Sequence, residues 1–199
     1  DAINALAKKH NLKVIEDCAQ APGAHYGEKF AGTLADLGIY SLNYHKHIHT
    51  GEGGLVVTDN DELAERVRLI RNHAEAVLSE QQRTGHCSIE ATDLVNMVGF
   101  NYRMTEIEAA IGREQLKKLE SLVSQRIENV AYLNDQLGAI PCIQPTKTRD
   151  KATHVYYFHA LQFLPEVADG VHRNDFINAV RMELAPSNLR DGLGVRLNA

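Results

Sequence analysis

The amino-acid sequence predicts an α/β fold, and three observations predict it. First, Ile3, Leu6 and Ala7 stand at helical spacing, close on the cationic turn Lys8, Lys9 and His10, and run through Asn11 into the apolar run KVIED. A helix feeding a buried strand is the repeating unit of a parallel α/β sheet. Second, GGLVVTD at 53–59 reads as a strand that Asp59 or Asn60 follows as a helix cap, with Leu63, Val67 and Ile70 on one face of that helix. Third, apolar residues from Ile107 through Ala110, Ile111, Leu116, Leu119, Val123, Ile127, Val130 and Leu133 to Leu137 recur every three or four positions.

Taken in order, the opening helix covers about 2–10 and the first strand ends on Glu16 and Asp17. The segment APGAHYGEKFAGTLAD at 21–36 carries three glycines and a proline and reads as loop. Leu37 to Leu42 reads as a second strand, 53–59 as a third, and a helix runs to about Asn72. Residues 74–98 are polar, poorly periodic and read as connecting structure. At Thr105 the pattern T-E-I-E forms a capping box with Glu108. The periodic residues after it predict one helix over about 105–137, ended near Gly138, of the kind that joins a large domain to a small one. A linker with Pro141 and Pro145 follows, then a strand-like run HVYYFHALQF at 154–163 and a last helix over about 173–184 introduced by Arg173, Asn174 and Asp175. The division expected is 1–137 for a partial large domain with its spine helix, and 138–199 for a linker and part of a small α+β domain.

Length and composition bound the function. The 199 residues are 44% hydrophobic and 24% charged, ordinary for a globular chain and enough to bury a core without staples. A net charge of −5 argues against a nucleic-acid surface, which needs a basic excess. No run approaches the ~18 apolar residues of a membrane span, and Asp1 to His10 is not a signal peptide. Cys18, Cys87 and Cys142 are widely spaced and form no CxxC pair. The expectation is a cytoplasmic enzyme. Because the sequence opens at Asp1 inside a helical pattern and stops at GLGVRLNA, it also reads as a piece of a longer chain.

Three places carry possible chemistry. Asp17 ends a buried strand, and open α/β sheets bind ligands outside the carboxyl ends of their strands. In SLNYHKHIHTGEGG at 41–54, Lys46 lies between His45 and His47 and before a glycine-rich turn. That is the setting of an amine able to react with carbonyls, against the plainer reading of a solvated loop lysine. GEGG lacks the spacing of a phosphate-binding P-loop. His45, His47 and His49 alternate as metal ligands do on a strand, but no carboxylate or cysteine completes the set and no metal site is assigned. Cys18, beside Glu16 and Asp17, reads as a small buried residue rather than a nucleophile. In GFNYRMTEIEAA at 99–110, Asn101 and Arg103 precede a helix N-terminus, where an anion or a purely structural turn fits equally.

Together, VIEDCAQAPGAHYGEKFAGTLADLGIYSLNYHKHIHTGEGGLVVTD, the RNHAEA after the next helix and VGFNYRMTEIEAAIGREQLKKLE resemble the DegT/DnrJ/StrS family of sugar aminotransferases. The resemblance covers about 1–140 in register and 154–184 more loosely. It implies a pyridoxal 5'-phosphate (PLP) enzyme on the type I aminotransferase fold, with a large domain of mixed, mostly parallel sheet. It also implies a chain that lacks the family's N-terminal part and C-terminal end. Lys46 matches the lysine that bonds the cofactor and moves the proton. Asp17 matches the acid on the pyridine nitrogen, which keeps the ring an electron sink. Gln20 matches a position near the ring's 3-oxygen, and Ser41 a hydroxyl on the phosphate. Asn101 matches an amide that reaches the phosphate of the neighbouring subunit, which implies a homodimer with shared sites.

Relatives that act as dehydratases carry His at the lysine position, so Lys46 favours amino transfer. The implied reaction moves an amino group, from L-glutamate, to a keto group of a nucleotide-linked deoxysugar. The resemblance also allows a keto-cyclitol (inosose) acceptor, or a non-catalytic relative that binds PLP and transfers nothing.

Overall fold

The structure is a computed structural model in which residues 1–75 and 97–184 are described. Helix α1 (Ala2–Lys9) ends on Lys8 and Lys9, cations beside the negative end of the helix dipole. Strand β1 (Ile15–Asp17) runs parallel to β4 (Leu37–Ser41), pairing Asp17 with Ile39, and β5 (Gly54–Val57) returns antiparallel, pairing Ser41 with Gly54. The sheet order β1-β4-β5 puts β4 in the centre. The mixed sheet of the expectation is present; among the described residues it holds one parallel and one antiparallel pairing.

Between β1 and β4 lies a hairpin where the sequence read only loop. Strands β2 (His25–Tyr26) and β3 (Lys29–Phe30) pair across Gly27 and Glu28, and Gly27 takes the positive φ of 61° that a two-residue hairpin loop favours. Two-residue strands are too short for an alternating pattern to register, which is why composition alone suggested loop. The chain then crosses β4 at close range. A Cβ added at Gly38 would stand 2.0 Å from the Gly32 carbonyl oxygen. Gly38→Ala is therefore expected to destabilise the fold by about 3 kcal/mol or more, because backbone rather than a side chain must move. Urea or thermal unfolding checks this, and unchanged stability would contradict it.

Helix α2 (Asp61–Arg71) starts where Asn60 Oδ1 accepts from the Leu63 amide, as its cap signal predicts. Helix α3 (Glu106–Leu116) carries the predicted capping box: Thr105 Oγ1 accepts from the Glu108 amide at 3.2 Å and a Glu108 oxygen accepts from the Thr105 amide at 2.9 Å. The single helix expected over 105–137 is two. It breaks at Lys117 and Lys118, and α4 (Leu119–Leu137) begins anew. The Lys118 amide bonds the Gln115 carbonyl, three residues back. A tight 3₁₀-like turn keeps an apolar spacing of three, as between Leu116 and Leu119, so the periodicity ran across the break unseen.

Strands β6 (Ile143–Pro145) and β7 (Leu161–Phe163) pair antiparallel, and α5 (Arg173–Glu183) follows. Of the strand expected over 154–163, only Leu161–Phe163 is one. The Val155 and Tyr156 carbonyls accept from the side chains of His47 and Arg126 instead of a neighbouring strand, and Tyr156 sits at φ 49°.

Two compact units emerge. The first joins Asp1–Ile127 with Thr148–Tyr157, and the second joins Glu128–Lys147 with the chain from Phe158 onward. The first is centred on buried Ala24, Val123 and Val155, with Ala21, Ala31, Leu119 and Ile127 packed around them. In the second, Phe163 and Phe176 stack at 4.8 Å and the His159 ring bonds Asn134. Most of the connecting segment expected at 74–98, with Cys87, and the tail after Leu184 lie outside the described residues. Among the described residues no helix is long and apolar enough to cross a membrane.

Candidate functional site

The sheet builds one chemically rich edge. β1 and β4 run parallel, so Asp17 and Ser41 both lie at carboxyl ends, and β5 starts opposite Ser41 at Gly54. The loop of residues 42–53 therefore leaves and re-enters the sheet at that edge and carries Lys46 there. An edge of this kind is where open α/β sheets hold their ligands.

Alternation along β1 separates two acids. Glu16 turns to the 31–35 loop, where its carboxylate accepts from the Gly32, Leu34 and Ala35 amides at 2.5–3.0 Å. It is a structural anchor that the sequence did not disclose, since its partners lie 16 to 19 residues on. Asp17 is exposed, and its Oδ1 accepts from the Ala19 amide at 3.0 Å, which orders the turn that carries Gln20. Cys18 between them is only 5% exposed. Burial, then the charges of Glu16 and Asp17, pushes its thiol up to about 11. Iodoacetamide at pH 8 is expected to spare Cys18 in the folded chain while reaching half-buried Cys142. Alkylation of Cys18 as fast as Cys142 would contradict that.

The Lys46 loop is tied down from several sides. The Asn43 side chain donates to both Glu52 carboxylate oxygens at 2.9 and 3.0 Å and accepts from the His45 amide at 3.1 Å. Ser41 Oγ accepts from the Asn43 amide at 3.2 Å, the Lys46 amide bonds the Asn43 carbonyl, and Thr50 Oγ1 donates to the Glu52 carbonyl. Gly53, at φ 147°, lies where a Cβ would stand 2.8 Å from Met104 Cε and 2.9 Å from Thr50 Oγ1. Only glycine lets the backbone pass so close.

The three histidines of the loop diverge. His45 lies against Tyr44 with the two rings tilted, and His49 Nδ1 accepts from the Gly51 amide. His47 is buried, with its Nε2–H donating to the Val155 carbonyl at 2.8 Å. Burial, first of all, holds its pKa below the ordinary histidine range, and the charges of Arg126 and Lys46 push the same way against the pull of that carbonyl. His47 is thus a neutral ring at pH 7. Among the described residues no three His, Cys, Asp or Glu side chains gather as a metal site.

Asn101 lies elsewhere on the first unit, bridged to Asn72 at the end of α2, and is exposed. Arg103 Nη1 donates to Asn72 Oδ1 at 2.9 Å, a structural bond of the turn. An open cleft of about 1010 Å³ lies between the sheet and α2, lined by Ala19, Ser41, Gly53, Arg71, Tyr102 and Met104 among others. Of the expected site residues only Ser41 lines it; Asp17, Gln20, Lys46 and Asn101 do not. Tyr102 and Met104, neither singled out in the sequence, line the same cleft.

A profile of this family matches residues 1–187. The chain belongs to the DegT/DnrJ/EryC1/StrS aminotransferase family. It is 36% identical over 166 residues to an L-glutamine:2-deoxy-scyllo-inosose aminotransferase of Streptomyces lividus, which takes in 83% of this chain and 38% of that protein. It is 30% identical over 198 residues to a UDP-4-amino-4,6-dideoxy-N-acetyl-beta-L-altrosamine transaminase of Campylobacter jejuni, 100% of this chain and 47% of that one. Among solved structures it is similar to an E. coli GDP-4-keto-6-deoxy-D-mannose-3-dehydratase with bound hydrated PLP, at a TM-score of 0.72 and 27% identity over 91% of this chain and 47% of that one. The chain thus spans less than half the length of these DegT/DnrJ/EryC1/StrS relatives.

The donor set of this family member suits such a cofactor. An acid and a hydroxyl end parallel strands at one sheet edge, a lysine lies in the loop that leaves and re-enters the sheet there, and Gly53 in that loop leaves the backbone bare.

Proposed function

We propose that the protein is a PLP-dependent aminotransferase that passes an amino group, from L-glutamate, to a keto group of a nucleotide-linked deoxysugar. The observation that carries the reading is the placing of Lys46 in the loop joining Ser41 to Gly54, at the edge where β1 ends on Asp17. Bound PLP supplies an aldehyde that takes the amino group and a ring that draws electrons from the reacting carbon.

The chain's own residues then have separate tasks. Lys46 Nζ holds the cofactor through its amine and, once displaced, carries the proton to and from the reacting carbon. Asp17 offers its carboxylate to the ring nitrogen and keeps that nitrogen protonated. Ser41 Oγ would donate to the phosphate, Gln20 would serve the side of the ring that bears its 3-oxygen, and Asn101 would reach the phosphate of a second subunit in a homodimer. The site works in the cytoplasm, where keto-sugar nucleotides and glutamate are at hand.

Two other readings draw on named relatives. The inosose aminotransferase supports a keto-cyclitol acceptor and L-glutamine as donor. The dehydratase shares the fold, and Lys46 is the residue that argues against that outcome here. The test supplies PLP with L-glutamate or L-glutamine and offers a 4-keto-6-deoxy nucleotide sugar or 2-deoxy-scyllo-inosose. Amination of the nucleotide sugar is the expected result. Amination of the cyclitol alone overturns the substrate class, and bound PLP with no transfer from either donor overturns the activity.

A further inference from the structure

The segment Thr148–Tyr157 returns to the first unit more than a hundred residues after Lys46. It grips that loop and its surroundings at three points. His47 Nε2 donates to the Val155 carbonyl across 108 residues, from a ring only 8% exposed. Arg126 Nη1 donates to the Tyr156 carbonyl at 3.1 Å. Between these backbone anchors and β7, Tyr157 turns its ring to the loop: Lys46 Nζ stands 4.5 Å from the ring centroid, and the His47 ring lies 5.9 Å from it. Among the described residues no carboxylate stands within ion-pair distance of Lys46.

We propose that Tyr157 is a positioning residue for Lys46, its ring face holding the ammonium by a cation–π contact at the place where the amine meets a carbonyl compound. The proposal rests on the reading of Lys46 as the cofactor lysine. An ammonium within about 6 Å of a ring centroid is drawn to the negative face of the ring. The attraction belongs to the charged form, so it orients the resting lysine and weakens once the proton leaves and the amine becomes the nucleophile. Neutral His47 beside it adds no second positive charge to the loop. The π face carries the effect, so phenylalanine preserves it, and leucine fills the space without it.

Wild type, Tyr157→Phe and Tyr157→Leu are compared in two measurements on the whole chain. Lysine labelled with ¹³C at Cε reports ring-current shifts without any cofactor, and Lys46→Arg assigns the signal. An upfield Lys46 signal in wild type and Tyr157→Phe, returned to the ordinary lysine position in Tyr157→Leu, is expected. A Lys46 signal at the ordinary position in wild type overturns the contact, whether or not the leucine variant folds.

The second measurement is the rate at which PLP, trapped by borohydride, marks Lys46. Because the ring favours the unreactive ammonium, Tyr157→Leu is expected to speed the marking at neutral pH about fivefold and Tyr157→Phe to change it less than about twofold. Equal rates in all three overturn positioning. No mark on Lys46 in a wild type that keeps its upfield signal counts against the cofactor lysine, and leaves the contact decided by the spectrum.

Discussion

Replacing Lys46 with alanine is expected to end amino transfer and to leave the fold in place. Loss of proton transfer alone accounts for a fall of about 10²–10⁴-fold, and loss of the amine that holds the cofactor comes on top of it. The backbone bond from the Lys46 amide to the Asn43 carbonyl survives the change, as do the Asn43–Glu52 bonds that shape the loop. Melting should therefore stay close to wild type. Initial rates with L-glutamate as donor check this, and full activity in Lys46→Ala would remove the basis of the functional reading.

The second large effect is expected from Asp17→Asn. The amide keeps an oxygen to accept from the Ala19 amide, so the turn after β1 retains its bond and the fold its stability. Only the negative charge goes, and with it the partner proposed for the ring nitrogen. A fixed charge aimed at a group whose charge matters in the transition state contributes about 10²–10³ in rate. Asp17→Asn is expected to lose about that much with melting unchanged. A variant at wild-type rate would show that Asp17 only caps a turn.

Much of this molecule was legible in its residues, and what escaped has physical reasons. The Thr105 capping box and the helix cap read at Asp59 or Asn60 are local signals, each complete within four residues; the box formed as read, and Asn60 is the cap. The strand end at Asp17 was legible because an apolar run stops at acids there, and the second strand, expected to reach Leu42, ends one residue earlier at Ser41. The break at Lys117 and Lys118 was hidden because a tight turn preserves the apolar spacing. Of the strand expected over 154–163, the part before Leu161 was lost to distant side chains, His47 and Arg126, which claim its carbonyls. Local propensity cannot anticipate partners 108 and 30 residues away. The same holds for Glu16, which looked like one of two acids at a strand end and is the anchor of a neighbouring loop.

For the site, the kinds of residue were legible and their surroundings were not. Lys46 and Asp17 stood out by position. Nothing local indicated that Tyr157 would lie over the lysine, that His47 would be buried and neutral, or that the cleft beside Ser41 would be lined by Tyr102 and Met104. The first two depend on the return of the chain after α4, and the third on the turn of residues 101–104 before α3.

The central claim is that Lys46 is the residue that bonds the cofactor. The purified chain, folded by circular dichroism, is incubated with pyridoxal 5'-phosphate, reduced with borohydride, digested and mapped by mass spectrometry. A pyridoxyl group on Lys46 alone, absent in Lys46→Ala, is the result the account predicts. Label spread over several lysines, or on none, in the folded chain would contradict it.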